Sequence, residues 1–292
     1  MQHQKNKVRI NNFNLLGCNI ENSASPFLHN KIFTAKNLQN SNHYGLLDVA
    51  PKNFKQVFSK LNEFSGVNVT TPFKVRAFNM LKLKSPEANF FGCVNTIKTL
   101  PNGELKGFCT DGFGFFKSLQ KFKTLFFENV LIVGFGGAGK VVLKCLESRC
   151  ENLFVAVRNL NSIEKPTQTK AKFIDLEQLN GSPNKLNELE FGLVVNATTC
   201  GNSLSQNCAA INLNCLGKID AAFDLIYYPT TTKFLKQAHK LGAETLNGVD
   251  MLVWQAVAAQ QIWNGLRFKT KFVENLIQET KKFLESKQEA ND

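Results

Sequence analysis

The stretch NVLIVGFGGAGKVVLKCLES, residues 129–148, constrains the fold more than any other part of this 292-residue chain. Four apolar residues, Val130 to Val133, run straight into Gly134, Gly136, Gly137, Ala138 and Gly139, and a helical pattern follows. A G-x-G-x-x-G loop between a strand and a helix suits a dinucleotide. The glycines permit a tight turn, and backbone N–H groups and the helix N-terminus can approach a pyrophosphate. The next strand, NLFVAVRN, ends on Arg158. An acidic residue there would hold the ribose hydroxyls of NAD, whereas an arginine can meet a 2′-phosphate, so NADP is expected over NAD.

Alternating segments surround this unit. An apolar run at Phe13 to Cys18 is followed by Ser25-Pro26, an N-cap and first-turn proline for a helix to about Asn37. His43 to Val49 reads as a strand, Pro51 to Phe64 as a helix and Gly66 to Thr70 as a third strand, after which Pro72 opens another helix. Such alternation implies parallel strands with helical crossovers. Asn102-Gly103, between strand-like Cys93 to Thr99 and Glu104 to Phe108, signals a hairpin. Beyond the glycine loop, strands are expected at Phe191 to Thr198, Ile219 to Leu225 and Ala243 to Leu246, with helices at Thr231 to Leu241, after Gly248, and from about Lys269 to Ser286. The expected architecture is a two-domain α/β chain. Residues 1–110, completed by C-terminal helices within 248–292, form a mixed or parallel substrate domain, and residues 111–247 form a Rossmann-like dinucleotide domain.

Composition narrows the function. No run of eighteen uncharged apolar residues indicates a membrane span, and the opening MQHQKNKVRINNF lacks the apolar core of a signal peptide, so a cytosolic protein is expected. The eight cysteines (Cys18, Cys93, Cys109, Cys145, Cys150, Cys200, Cys208 and Cys215) form no C-x-x-C pair, and the histidines His3, His29, His43 and His239 are dispersed. Reduced thiols and no metal site are expected. The net charge of +12 comes from lysines spread along the chain, without a basic run, so it favours anionic small molecules over nucleic acid.

Eight motifs in order, SASPFLHN (23–30), NVTTPFK (68–74), GCVNT (92–96), TDGFG (110–114), GFGGAG (134–139), NATTCG (196–201), FDLIYYP (223–229) and NGVDMLVWQA (247–256), resemble the shikimate dehydrogenase family over nearly the whole chain. The resemblance implies NADP-dependent reduction of 3-dehydroshikimate to shikimate, with Lys74 and Asp111 as the acid–base pair. It implies that Ser23, Ser25 and Tyr227 hold the substrate carboxylate, and that Asn68, Thr70, Asn95 and Gln255 hold its hydroxyls. Thr198, Gly248 and Met251 would join the glycine loop and Arg158 around the cofactor. Without the resemblance, Ser25 and Asp111 read as helix caps, Asn95 as a turn residue, Gln255 as an exposed helix position, and Met251 and Tyr227 as packing residues. Asn19, Asn22, Cys109 and Ser162 depart from the family pattern, which implies tuned affinity or cofactor choice. A paralogue acting on quinate or using NAD, and a non-catalytic nucleotide sensor, are the alternatives. The resemblance leaves monomer and homodimer open.

Overall fold

The structure, a computed structural model, describes residues 10–181 and 188–290. His3 and most of the opening segment read above for a signal peptide lie outside them. Backbone proximity divides the chain into two units, one of Met1–Thr110 with Ala259–Phe268, the other of Asp111–Ala258 with Lys269–Asp292. Of the residues 248–292 expected to complete the first domain, only 259–268 group with it.

In the first unit the strands are β1 (Asn11–Gly17), β2 (Asn42–Asp48), β3 (Gly66–Val69), β4 (Leu83–Lys84), β5 (Thr96–Thr99) and β6 (Leu105–Phe108), and the helices α1 (Ser25–Ala35), α2 (Phe54–Phe58), α3 (Lys74–Met80) and α4 (Pro86–Phe91). The sheet order is β2-β1-β3-β5-β6-β4. β1 runs parallel to β2 and β3, while β5 is antiparallel to both β3 and β6. The β5–β6 hairpin closes through Leu100 N–H donating to Glu104 O at 2.8 Å, with Gly103 at φ +82°, as Asn102-Gly103 predicts.

Three local expectations are corrected. The segment expected to be one helix from Pro51 to Phe64 is instead a 3-10 turn at Pro51–Asn53, then α2, then a second 3-10 turn at Leu61–Glu63. Ser59 Oγ donates to Gln56 O at 2.8 Å, a side-chain bond that competes with helix continuation, while Phe54, Phe58 and Leu61 are buried. The helix expected at Pro72 begins at Lys74, because Phe73 N–H first closes a turn onto Thr70 O at 2.9 Å; the Thr71-Pro72 peptide within that turn is cis. Ser25 is not an N-cap. Ala24 precedes α1, and Ser25 is its first residue.

The second unit holds α5 (Asp111–Leu119), β7 (Phe127–Val133), α6 (Gly137–Leu146), β8 (Cys150–Val157), β9 (Lys172–Asp175), α7 (Leu176–Gly181), β10 (Leu193–Asn196), β11 (Ala221–Asp224), α8 (Lys233–Lys240), β12 (Glu244–Leu246), α9 (Val249–Asn264) and α10 (Thr270–Glu289). The last turns of α9, from Ala259, group with the first unit. The strand order is β12-β11-β10-β7-β8-β9, with every pairing parallel. Both faces are covered, which explains the uninterrupted apolar run of β7. Val130 and Ile132 pack with Phe115, Leu119 and Val142 on one face, and Leu131 and Val133 with Leu179, Leu213 and Phe234 on the other. The edge strand β9 and helix α7 were not expected from sequence.

The reduced-thiol expectation also fails at one place, where Cys200 and Cys208 form a disulfide. The loop between them folds back on itself. Gly201 N–H donates to Ser205 Oγ at 3.2 Å and Cys208 N–H to Ser205 O at 2.9 Å, bringing the two cysteine Cα atoms within 5.4 Å. Among the described residues, no helix is long and apolar enough to cross a membrane.

Candidate active site

In the first unit, the residues expected to bind substrate gather beyond the carboxyl ends of β1 and β3, beside the crevice where the chain passes to opposite sides of β1. The loop after β1 and the turn after β3 touch, since Cys18 N–H donates to Thr71 O at 3.3 Å. Ser23 and Ser25 stand on the first of these segments, their hydroxyls 3.2 Å apart, at the start of α1 where the helix N-terminus favours an anion. Thr70 and Lys74 stand on the second, both half-buried, Lys74 as the first residue of α3.

Asn68 and Asn95 are built into the wall behind that edge. Asn68, 4% exposed, accepts from Tyr44 Oη at 2.8 Å and donates through Nδ2 to Asn95 O at 3.2 Å and Thr96 Oγ1 at 3.0 Å. Asn95 Oδ1 accepts from Thr110 N–H at 2.7 Å, and its Nδ2 donates to Thr110 Oγ1 at 2.9 Å. Asn95 is therefore more than a turn residue. Its amide ties the start of β5 to the residue that follows β6 and precedes Asp111. Behind Tyr44 the buried His29 ring lies stacked at 4.0 Å between centroids, and burial pushes its pKa down to about 3, opposed in part by Asn68, so it is neutral.

In the second unit the corresponding crevice lies between β7 and β10, where the strand order reverses. Gly134 has φ +95°, and a Cβ on it would meet Thr198 Cγ2 at 2.6 Å, so the glycine loop and the loop after β10 approach closer than any side chain would permit. Gly136 faces open space just before α6, which leaves room for a pyrophosphate at that helix N-terminus. Thr198 is held by Asn196, whose Oδ1 accepts from Thr198 N–H at 3.1 Å and Oγ1–H at 2.7 Å. Asn196 Nδ2 in turn donates to Asp224 Oδ1 at 3.0 Å, and Asp224 Oδ2 accepts from Thr232 Oγ1 at 2.6 Å. Burial raises the Asp224 pKa to about 6, against the opposing pull of Thr232, the Ile226 N–H and Asn196.

The remaining expected residues divide by position. Arg158 and Ser162 are exposed beyond the end of β8, where a cofactor phosphate could be met from solvent. Gly248 N–H donates to Ile226 O at 2.9 Å, which seats the start of α9 against the end of β11. Met251 is buried in the apolar cluster with Phe115 and Phe223. Asp111, 4% exposed, opens α5, and one turn later that helix packs on α9 at Gln255, where a Cβ on Gly114 would lie 3.2 Å from Gln255 Cβ. Gln255 is half-buried and donates to Leu252 O at 2.8 Å, and Tyr227 is half-buried beyond β11. Ser23, Ser25, Asn68, Thr70, Lys74 and Asn95 thus belong to the first unit, and Asp111, Tyr227, Gln255 and the cofactor set to the second. Sequence reading missed the supporting residues Tyr44, His29, Asn196, Asp224 and Thr232. Asn196 and Asp224 sit inside quoted motifs at strand ends, a signal that a polar residue closing an apolar strand could have raised.

Comparison with known proteins follows the same lines. A family model described as the shikimate dehydrogenase substrate binding domain matches residues 15–97. A curated relative from Clostridium perfringens (strain SM101 / Type A), named shikimate dehydrogenase (NADP(+)), is 34% identical over 92% of this chain and 98% of its own. The solved structure of shikimate dehydrogenase 1 from Peptoclostridium difficile superposes with a TM-score of 0.84 at 30% identity, covering 93% of this chain and 98% of that one. A shikimate 5-dehydrogenase from Thermus thermophilus, solved in complex with NADP(H) and shikimate, gives a TM-score of 0.76 at 28% identity over 93% of this chain and 100% of its own. With 34% identity to a curated member along nearly its whole length, and with both sheets in place, the chain belongs to the shikimate dehydrogenase family.

Proposed function

We propose that the chain catalyses the reversible NADP-dependent reduction of 3-dehydroshikimate to shikimate, a step towards chorismate and the aromatic amino acids. The observation that carries this reading is the edge of hydroxyl and amide groups, Ser23, Ser25, Thr70 and Asn95 with Lys74 beside them, beyond the carboxyl ends of β1 and β3. That set suits a small polyhydroxylated carboxylate. Ser23 and Ser25, with Tyr227, hold the carboxylate at the start of α1, and Asn68, Thr70, Asn95 and Gln255 pair the ring hydroxyls.

When bound, the nicotinamide cofactor supplies or receives the hydride. Gly134, Gly136, Gly137, Ala138 and Gly139 receive its pyrophosphate at the N-terminus of α6, Arg158 its 2′-phosphate, and Thr198, Gly248 and Met251 line the rest of its path. Lys74 holds the oxygen of the reacting carbon and moves its proton, with Asp111 as the paired carboxylate. Placed general acid–base groups of this kind contribute about 10² to 10⁴ in rate. The same reading puts the enzyme in the cytosol, as a monomer or homodimer, without a membrane or nucleic-acid partner.

Purified protein assayed by reduced-nicotinamide absorbance, with shikimate and quinate each against NADP and NAD, tests the proposal. Turnover mainly with shikimate and NADP is the expected result. Preference for quinate or NAD would overturn the substrate or cofactor assignment and give weight to Ser162, which stands exposed where the family has a second basic residue. Absence of turnover with any pair would refute the catalytic reading.

A further inference from the structure

We propose that Asp48 is a positioning residue for this reaction, its carboxylate gripping the loop after β1 so that Ser23 and Ser25 are set in place for the substrate carboxylate. The inference rests on the proposed role of those two serines. β1 and β2 pair in register as far as Gly17 and Asp48, and Val49 N–H donates to Gly17 O at 2.8 Å. Beyond Gly17 the chain leaves the sheet. There the Asp48 side chain reaches across: Oδ1 accepts from Asn19 N–H at 2.9 Å, and Oδ2 from Ile20 N–H at 3.0 Å. Asn19 lies at φ +56°, in the left-handed region that asparagine tolerates better than most residues. Successive N–H groups about such a turn form a small concavity for an anion, and Asp48 fills it from within the protein.

The grip reaches the serines through contacts that follow one another along the loop. Ile20 O accepts from Ser23 N–H at 2.9 Å, Ser23 Oγ accepts from Ser25 N–H at 3.2 Å, and the two hydroxyls lie 3.2 Å apart. The Ile20 side chain is buried in the cluster of Phe13, Leu15 and Phe33. A Cβ on Gly17 would meet both Ile20 Cγ2 and Thr70 Cγ2 at 2.5 Å, so the same turn abuts the threonine proposed to pair a ring hydroxyl. All of these residues lie in the first unit. Asn19, one of the departures from the family pattern, thereby has a physical role: its N–H and its left-handed backbone are what the Asp48 carboxylate holds. A proline at that position could supply neither.

Asp48→Ala removes both acceptors at an exposed position, outside the core. In ¹⁵N-labelled protein the Asn19 and Ile20 backbone amides are expected to exchange slowly in the wild type and fast in Asp48→Ala. With shikimate and NADP, the same variant is expected to raise KM about fivefold, the equivalent of one net hydrogen bond, with kcat, NADP affinity and melting temperature nearly unchanged. Asn19→Pro, with no N–H to give and no access to φ +56°, should raise KM likewise, whereas Asn19→Gly, which keeps both, should stay within about twofold of the wild type. Where both serines are replaced, in a Ser23→Ala, Ser25→Ala background, Asp48→Ala should add nothing further. Unchanged amide exchange in Asp48→Ala, a wild-type KM in Asp48→Ala or Asn19→Pro, or an equal KM rise in the background without the serines would each overturn the proposal. So would a loss of NADP affinity matching the rise in KM, which marks general loosening of the structure. Should the wild type not turn over shikimate, the functional reading falls by itself, and amide exchange in the two unliganded proteins still decides whether Asp48 holds the loop.

Discussion

Replacing Thr232 with valine tests the chain of contacts that holds Thr198 without touching any proposed ligand contact. Thr232 is 1% exposed and does two things with one oxygen. It caps α8 by accepting from Leu235 N–H at 3.2 Å, and it donates to the buried Asp224 carboxylate at 2.6 Å. Loss of an N-cap costs about 1 kcal/mol. Loss of a hydrogen bond to a charged group costs about 1.5–3 kcal/mol more. For a unit of this size, a total of about 3 kcal/mol lowers the melting temperature by about 6–12 °C.

The pH dependence sharpens the test. Burial raises the Asp224 pKa from 3.8 to about 6. Through the window from about pH 4 to about pH 6 the folded protein therefore keeps a proton that the unfolded chain has released, and this group's contribution to stability falls as pH rises. Thr232 is the largest of the influences holding that pKa down, so its removal pushes it higher and extends the fall to higher pH. Thermal unfolding followed by circular dichroism should accordingly show a larger loss at pH 8, with Asp224 ionised in the wild type, than at pH 5, where the hydrogen bond is between neutral groups. A drop of less than about 2 °C at pH 8, far below the cost of cap and charged bond together, would refute the reasoning, as would an equal or larger drop at pH 5.

Lys74→Ala should lower kcat by about two or more orders of magnitude while NADP affinity stays nearly constant by fluorescence titration, and a mild effect on turnover would remove Lys74 from the acid–base role. Gly134→Val should abolish NADP binding in the same titration, because a Cβ at φ +95° meets Thr198 Cγ2 at 2.6 Å. Binding within about threefold of the wild type would contradict the closeness of the two loops. Thiol titration of the denatured protein should find two more reactive cysteines after reduction than before it, corresponding to Cys200 and Cys208. Eight thiols without reduction would show that this pair is not joined.

Much of this was legible in the sequence, for identifiable reasons. The glycine loop could be placed because Val130 to Val133 and the following helical pattern admit only a buried strand and a crossover. The all-parallel order around β7 followed from the same alternation. The misreadings share another cause: backbone conformation set by particular hydrogen bonds and contacts that residue spacing does not show. Ser25 looked like a cap because serine before proline usually is one, yet its neighbour Ala24 takes that place. Pro51 to Phe64 has helical spacing, but Ser59 Oγ turns back onto Gln56 O and the segment forms shorter pieces, with Phe54 stacked on Phe73 at 4.5 Å. The Cys200–Cys208 pair has no spacing signature, since its closure depends on Ser205. Within the candidate site, sequence motifs named the residues proposed to face ligands. Of the groups behind them, Tyr44 and Thr232 come from segments with no motif and are brought there only by the fold.

The first unit is completed by a segment that the chain supplies last. Ala259–Phe268 contributes Trp263, whose indole N–H donates to Ile97 O at 2.9 Å and whose ring stacks on Phe13 at 4.8 Å, and Gln260, which holds His29. During synthesis, therefore, residues 10–110 leave the ribosome with a slot in their core that nothing yet fills. The second unit's sheet, contiguous in sequence, can form before that slot is closed. Joining ends across so long an insertion carries a modest entropic penalty, because the cost grows only with the logarithm of loop length, about 0.6 kcal/mol per doubling. Trp263 and Gln260 therefore reach the first unit only after the whole nucleotide sheet has been translated.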